Sequence, residues 1–117
     1  MKKFIIISVS VIALVYISYR IFRIATHQKG LKEKITNGAI ILDVRTVNEF
    51  NTGHIEGSIN IPLSKLHADS LPLDKTKTYI TCCSHGLRSV KAVALLKERG
   101  FTAFNGGAWT DLKQFFN

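Results

Sequence analysis

Cysteine is nearly absent from this chain of 117 residues: there are two, and they are neighbours, Cys82 and Cys83. Adjacent residues sit too close along the backbone for an unstrained disulfide. With no third cysteine to pair with either, no disulfide framework is implied, and one of the two must be weighed as chemistry. Acids are also scarce, 8 Asp and Glu against 16 Lys and Arg, for a formal net charge of +8. A basic excess of this size normally points to phosphate-bearing partners. Its distribution argues against that, because residues 1–34 hold seven basic side chains and one acid, leaving nine against seven in residues 35–117. The excess belongs to the front of the chain, and no nucleic-acid partner is expected. The length excludes two independent cores. Internal repeats and low-complexity runs are both lacking.

The front of the chain carries a long apolar run. Lys2 and Lys3 precede Phe4 to Tyr19, an uncharged stretch dominated by Ile and Val, and Arg20, Ile21, Phe22, Arg23 and Ile24 follow. At about 1.5 Å per residue the uncharged part alone falls short of a hydrocarbon layer about 30 Å thick. Snorkelling of Arg20 and Arg23 extends the usable helix to Ile24. A cleaved signal peptide is the competing reading, but the small-x-small site it needs is missing after the apolar run. A buried soluble helix would show a polar face, and none interrupts the run. Residues 1–25 are therefore expected to form an uncleaved single-pass anchor, meeting the membrane through residues 4–24, with 26–37 a basic linker and 38–117 the folded domain. Arg20, Arg23, Lys29, Lys32 and Lys34 outnumber the two amino-terminal lysines, which favours a cytoplasmic domain. A Lys-Lys start followed at once by an apolar run is also common in exported bacterial proteins and points instead to the periplasm.

Beyond the linker, Ala39 to Val44 is a continuous apolar run interrupted by one acid, as in a strand buried on both faces of a parallel sheet. Thr46 and Glu49 form a capping box for a short helix that stops before Gly53. A second strand is expected at Ser58–Ile61, ended by Pro62, then a brief helical stretch at Leu63–Ala68 and a turn at Leu71–Asp74. Thr78–Cys83 is β-branched and aromatic, a third strand. Ser89–Arg99 reads as the clearest helix, with Val90, Val93, Ala94 and Leu96 on one face and Gly100 as its stop. Thr102–Asn105 is a fourth strand, and Gly106 and Gly107 a turn into a last segment around Trp109 and Leu112. Strands alternating with helices make the class α/β with a mostly parallel sheet of four to five strands.

Ligands of such sheets bind at the carboxyl ends of the strands, where Cys83 lies. Ser84, His85, Gly86, Leu87 and Arg88 follow it into the longest helix of the domain, so their amides can curl around the sulfur while the helix start adds positive potential. Those surroundings favour the thiolate and make Cys83 a nucleophile. Gly86 lets the loop turn and Arg88 closes it. Cys82 reads as a small buried hydrophobe. Cys82, Cys83 and His85 are too crowded for a metal site and lack a fourth ligand, so no metal is expected. His54 reads as a hydrogen-bonded structural histidine and Trp109 as core packing.

Ile41-Leu-Asp43-Val-Arg45, Glu49-Phe50, Gly53-His54-Ile55-Glu-Gly57-Ser-Ile-Asn60-Ile-Pro62, Cys83-Ser-His-Gly86-Leu-Arg88-Ser89 and Gly106-Gly107-Ala-Trp109 together resemble a single-domain rhodanese, over about residues 30–115. The resemblance implies a thiosulfate:cyanide-type sulfurtransferase that needs no cofactor. It would carry a persulfide on Cys83, take sulfur from thiosulfate or a persulfide, and deliver it to cyanide or a thiol. The resemblance further implies that Asp43 and Arg45 brace the loop; an ordinary ion pair is the alternative. Cysteine-dependent phosphatases and arsenate reductases share this sheet, but they place five residues between Cys and Arg to wrap a tetrahedral oxyanion. Cys83 and Arg88 are separated by four, a tighter ring suited to a single sulfur. A non-catalytic module that binds a partner at the membrane is the remaining alternative.

Overall fold

The computed structural model describes residues 1–116. The chain divides into two compact units, Met1–Glu33 and Lys34–Asn117. Apart from Met1, the first unit lies within one helix, α1 (Lys2–Thr36), and the stretch expected to be a basic linker is helical as far as Thr36. Gly30 is the one weak helix former between His27 and Thr36, and a single interior glycine costs only about 1 kcal/mol. Inside α1 the Ser8, Ser10 and Thr26 hydroxyls donate to the carbonyls four residues earlier.

The second unit is a parallel sheet of four strands flanked by helices. In chain order it comprises β1 (Ile40–Asp43), α2 (Val47–Thr52), β2 (Ile59–Asn60), a 3-10 turn at Leu63–His67, β3 (Thr78–Cys83), α3 (Leu87–Glu98), β4 (Thr102–Ala108) and α4 (Trp109–Leu112). A second 3-10 turn, Lys113–Phe116, follows α4. All pairings are parallel and the strand order is β2-β1-β3-β4. The chain thus leaves β1 toward one edge and returns across it to build β3 and β4 on the other side. A crevice opens at such a reversal, beyond the carboxyl ends of the two central strands.

Apolar runs supply the core, as the Val/Ile/Leu-rich strands require. Leu42, Val44, Leu66, Tyr79, Ala92, Leu96, Phe101 and Ala103 pack together. Tyr79 meets Phe101 edge-on, with centroids 6.4 Å apart, and its hydroxyl accepts from the Asp74 amide at 2.8 Å. Arg99, after α3, donates to the Leu66 and Asp69 carbonyls and ties the helix end to the first 3-10 turn.

Two local expectations need correction. α3 begins at Leu87, two residues early, and its buried positions are Ser89, Ala92 and Leu96, while Val90 is 55% exposed. The side chains with room to enter the crowded start of this helix are the small ones. β4 continues through Gly106 and Gly107 to Ala108, where a turn was expected. Thr81 pairs with Asn105 and Cys83 with Ala108, so β4 spends an extra residue over that step, a β-bulge. Glycine pairs mark turns and bulges alike, and only the partner strand separates the two.

Candidate active site

Cys83 is the last residue of β3 and is almost fully buried. Its Sγ accepts a hydrogen bond from the Gly86 amide at 2.9 Å. Gly86 has φ +90°, a left-handed conformation that glycine adopts without penalty, and it caps the start of α3. Burial alone would push the Cys83 thiol up. The amide and hydroxyl of Ser89 and the amides of Gly86 and His85 outweigh it, holding the thiol below its ordinary range.

Ser89 is fully buried at the base of this ring. Its hydroxyl lies 2.7 Å from Asn105 Oδ1 and 2.9 Å from the Gly86 carbonyl. Asn105 Oδ1 also accepts from the Gly107 amide, so the β4 bulge supports the floor of the loop. The Thr81 hydroxyl donates to the Ser89 carbonyl at 2.9 Å and fastens the first turn of α3 to β3. Neither Ser89 nor Asn105 stands out in the sequence as a site residue, because their roles depend on β3 and β4 lying side by side.

The rim of the loop is polar. Ser84 Oγ donates to Glu49 Oε2 at 2.8 Å, and Arg88 pairs with Glu49 twice, Nη1 to Oε1 at 2.7 Å and Nη2 to Oε2 at 2.9 Å. The Arg88 guanidinium, then the Ser84 hydroxyl, hold the Glu49 carboxyl well below the usual carboxylate range. Glu49 also completes the capping box of α2, accepting from the Thr46 amide and hydroxyl. The sequence reveals the cap and conceals the second role, since the loop residues lie 35 and 39 positions further along. His85 is exposed, and Leu87 is 78% exposed.

Asp43 and Arg45 are buried and paired to one another, with Arg45 Nη2 2.6 Å from Asp43 Oδ2 and Nε 2.9 Å from Oδ1. Arg45 also donates to the Gly53 and Glu49 carbonyls, and its guanidinium stacks 4.7 Å above the Trp109 ring. The Asn60 amide reaches the Asp43 and Arg45 carbonyls. None of these bonds runs to residues 84–88. The pair instead fixes α2, the element that carries Glu49, so its connection to the loop is indirect. His54 is exposed, stacks on Phe50 at 3.7 Å and shares a 2.8 Å hydrogen bond between Nδ1 and the Phe50 carbonyl. Trp109 is half-buried against Gly53.

Cys82 is buried on the opposite face of β3. Burial first, and the Asp43 carboxylate second, push its thiol far up, so it stays protonated at neutral pH.

A single ionisable thiol at the carboxyl edge of a parallel sheet, ringed by backbone amides, defines a cysteine-dependent α/β domain. Comparison with known proteins narrows the class. The profile of the rhodanese-like domain matches residues 27–109. The chain is 36% identical over 86 residues to a tRNA sulfurtransferase of Thermoplasma acidophilum, covering 73% of this chain but only 17% of that protein's length. It is 35% identical over 75 residues to the thiosulfate sulfurtransferase PspE of Escherichia coli, covering 61% of this chain and 71% of PspE. Among solved structures, the human single-domain sulfurtransferase superposes with a TM-score of 0.60 at 26% identity, over 74% of this chain and 91% of that one. The chain belongs to the rhodanese-like domain family.

Proposed function

We propose that the protein is a sulfurtransferase that carries sulfane sulfur as a persulfide on Cys83. Its donors are thiosulfate or a persulfide, and its acceptors cyanide or a thiol. The observation that carries this reading is the 2.9 Å approach of the Gly86 amide to Cys83 Sγ, inside a ring with only four residues between Cys83 and Arg88. The names of the relatives, sulfurtransferases acting on tRNA or thiosulfate, support the same chemistry.

The Cys83 thiolate attacks the outer sulfur of thiosulfate. An S–S bond forms to Cys83 while the bond to the sulfonyl sulfur breaks, and its electron pair departs with sulfite. The terminal sulfur of the persulfide carries negative charge, which the loop amides and the start of α3 offset. Cyanide or a thiolate then attacks that sulfur, the electron pair returns to Cys83, and thiocyanate or a new persulfide leaves. Ser84, His85 and Leu87 border the path of the incoming molecules.

Incubating the full chain with thiosulfate and cyanide tests the reading. Thiocyanate should form, Cys83→Ser should reduce the rate to background, and Cys82→Ala should leave it close to wild type. A Cys83→Ser variant with the full rate overturns the assignment, and so does aryl phosphate hydrolysis that depends on Cys83 in the absence of sulfur transfer.

We propose also that residues 4–24 of α1 anchor the protein in a membrane, with the domain in the cytoplasm. α1 is long and apolar enough to cross one, with a mean hydropathy of 2.1 over its most apolar stretch. The Ser8 and Ser10 hydroxyls are satisfied within the helix, as a hydrocarbon medium demands. Arg20 and Arg23 fold back onto Tyr16 and Tyr19, donating to their hydroxyls at 3.3 and 3.1 Å, the pairing of aromatic and basic groups expected at a membrane boundary.

A further inference from the structure

Glu49 is held from two sides. Oε1 accepts from the Thr46 amide (3.2 Å), the Thr46 hydroxyl (3.1 Å) and Arg88 Nη1 (2.7 Å), while Oε2 accepts from Ser84 (2.8 Å) and Arg88 Nη2 (2.9 Å). The α2 cap and Arg88 thus hold the two carboxylate oxygens in one orientation. Arg88 is the one Lys or Arg among residues 84–88, and both of its Nη atoms are engaged, Nη2 also approaching Ser84 Oγ at 3.3 Å. With Cys83 ionised, the thiolate, Glu49 and Arg88 sum to one negative charge at the mouth of the loop. Thiosulfate carries two.

We infer that Glu49 is a specificity-determining positioning residue that selects sulfur donors by charge: by neutralising Arg88 it turns the Cys83 loop against dianionic donors and toward donors of one negative charge or none. The inference rests on the sulfur-transfer reading. Thiosulfate remains a substrate, handicapped by repulsion and by the missing guanidinium clamp that a sulfonate would otherwise use. The pair is only partly screened from water, with about a third of each side chain exposed.

Thiosulfate and methanethiosulfonate give a matched test, since both present a sulfane sulfur bonded to a sulfonyl sulfur and differ by one charge. Their kcat/KM values are measured with cyanide as acceptor on the full-length protein in nonionic detergent. Glu49→Gln keeps a side chain that completes the α2 cap and removes the charge. It should raise the ratio of thiosulfate to methanethiosulfonate about five- to tenfold, as expected for one unit charge acting over about 7 Å in a medium between protein and water. The gain should appear in KM for thiosulfate rather than in kcat. Glu49→Asp keeps the charge and loses reach, so its overall rate should fall while the ratio stays at the wild-type value. In the unmodified protein, added salt should raise the ratio by screening the dianion more strongly.

An equal effect of Glu49→Gln on both donors, a shift in Glu49→Asp as large as that in Glu49→Gln, or a wild-type ratio that falls with salt overturns the inference while leaving sulfur transfer intact. Absence of transfer from either donor to wild-type Cys83 overturns the sulfur-transfer reading itself.

Discussion

At Cys83 burial and hydrogen bonding act in opposite directions on one thiol, and the amides of the loop prevail. Its neighbour Cys82 has the burial without the amides, and an acid close by. This contrast sets the expected pH dependence. A thiol reacts with iodoacetamide in proportion to its thiolate fraction, so the rate at Cys83 should fall as pH drops through its depressed pKa. The half-maximal rate should lie at a lower pH than for an ordinary free cysteine measured alongside. Cys83→Ser should abolish alkylation across that range, because burial and the Asp43 carboxylate keep the Cys82 thiol protonated. A half-maximum at or above the free-cysteine value would mean that the loop does not activate its sulfur.

The elements around that residue depend on β4 approaching β3 without a side chain between them. A Cβ on Gly106 would fall 2.7 Å from both Ile80 Cγ2 and the Thr81 carbonyl oxygen, and 2.9 Å from Leu112 Cδ2. The carbonyl belongs to β3 and cannot move without breaking the sheet. Gly106→Ala should therefore cost about 3 kcal/mol, at the upper end of overpacking penalties. Gly107→Ala meets no atom within 4 Å and bears only the strain of φ +76°, about 1–2 kcal/mol. Thermal or urea unfolding of the two variants should rank them in that order, and the reverse order would contradict the packing. The strands β1 and β3 were legible because Ala39–Val44 is apolar apart from Asp43 and Thr78–Cys83 is rich in β-branched and aromatic residues, and α2 because its cap lies within four residues. Cys83 and the loop behind it could be read as one contiguous stretch ending a strand. The bulge at Gly106, the buried face of α3 and the link from Glu49 to Arg88 each depend on contact between segments far apart in sequence. Periodicity and spacing along one segment hold no trace of them.

For the molecule as a whole, the proposed membrane tether rests on the charge asymmetry and on the length and apolar character of α1. The full chain should remain with the membrane pellet after an alkaline carbonate wash. A carboxyl-terminal fluorescent reporter should light up in the cytoplasm, where an alkaline phosphatase fusion would be silent. Activity from the phosphatase fusion would reverse the proposed orientation. The seclusion of Cys82 also bears on how such a molecule would behave over time. If Cys83 carries sulfur as proposed, its second thiol, protonated and turned away, would offer no partner within the chain on which to discharge, and only an encounter with another molecule would unload it. The protein would then act as a single-sulfur reservoir whose dwell time is set by the supply of acceptors around it.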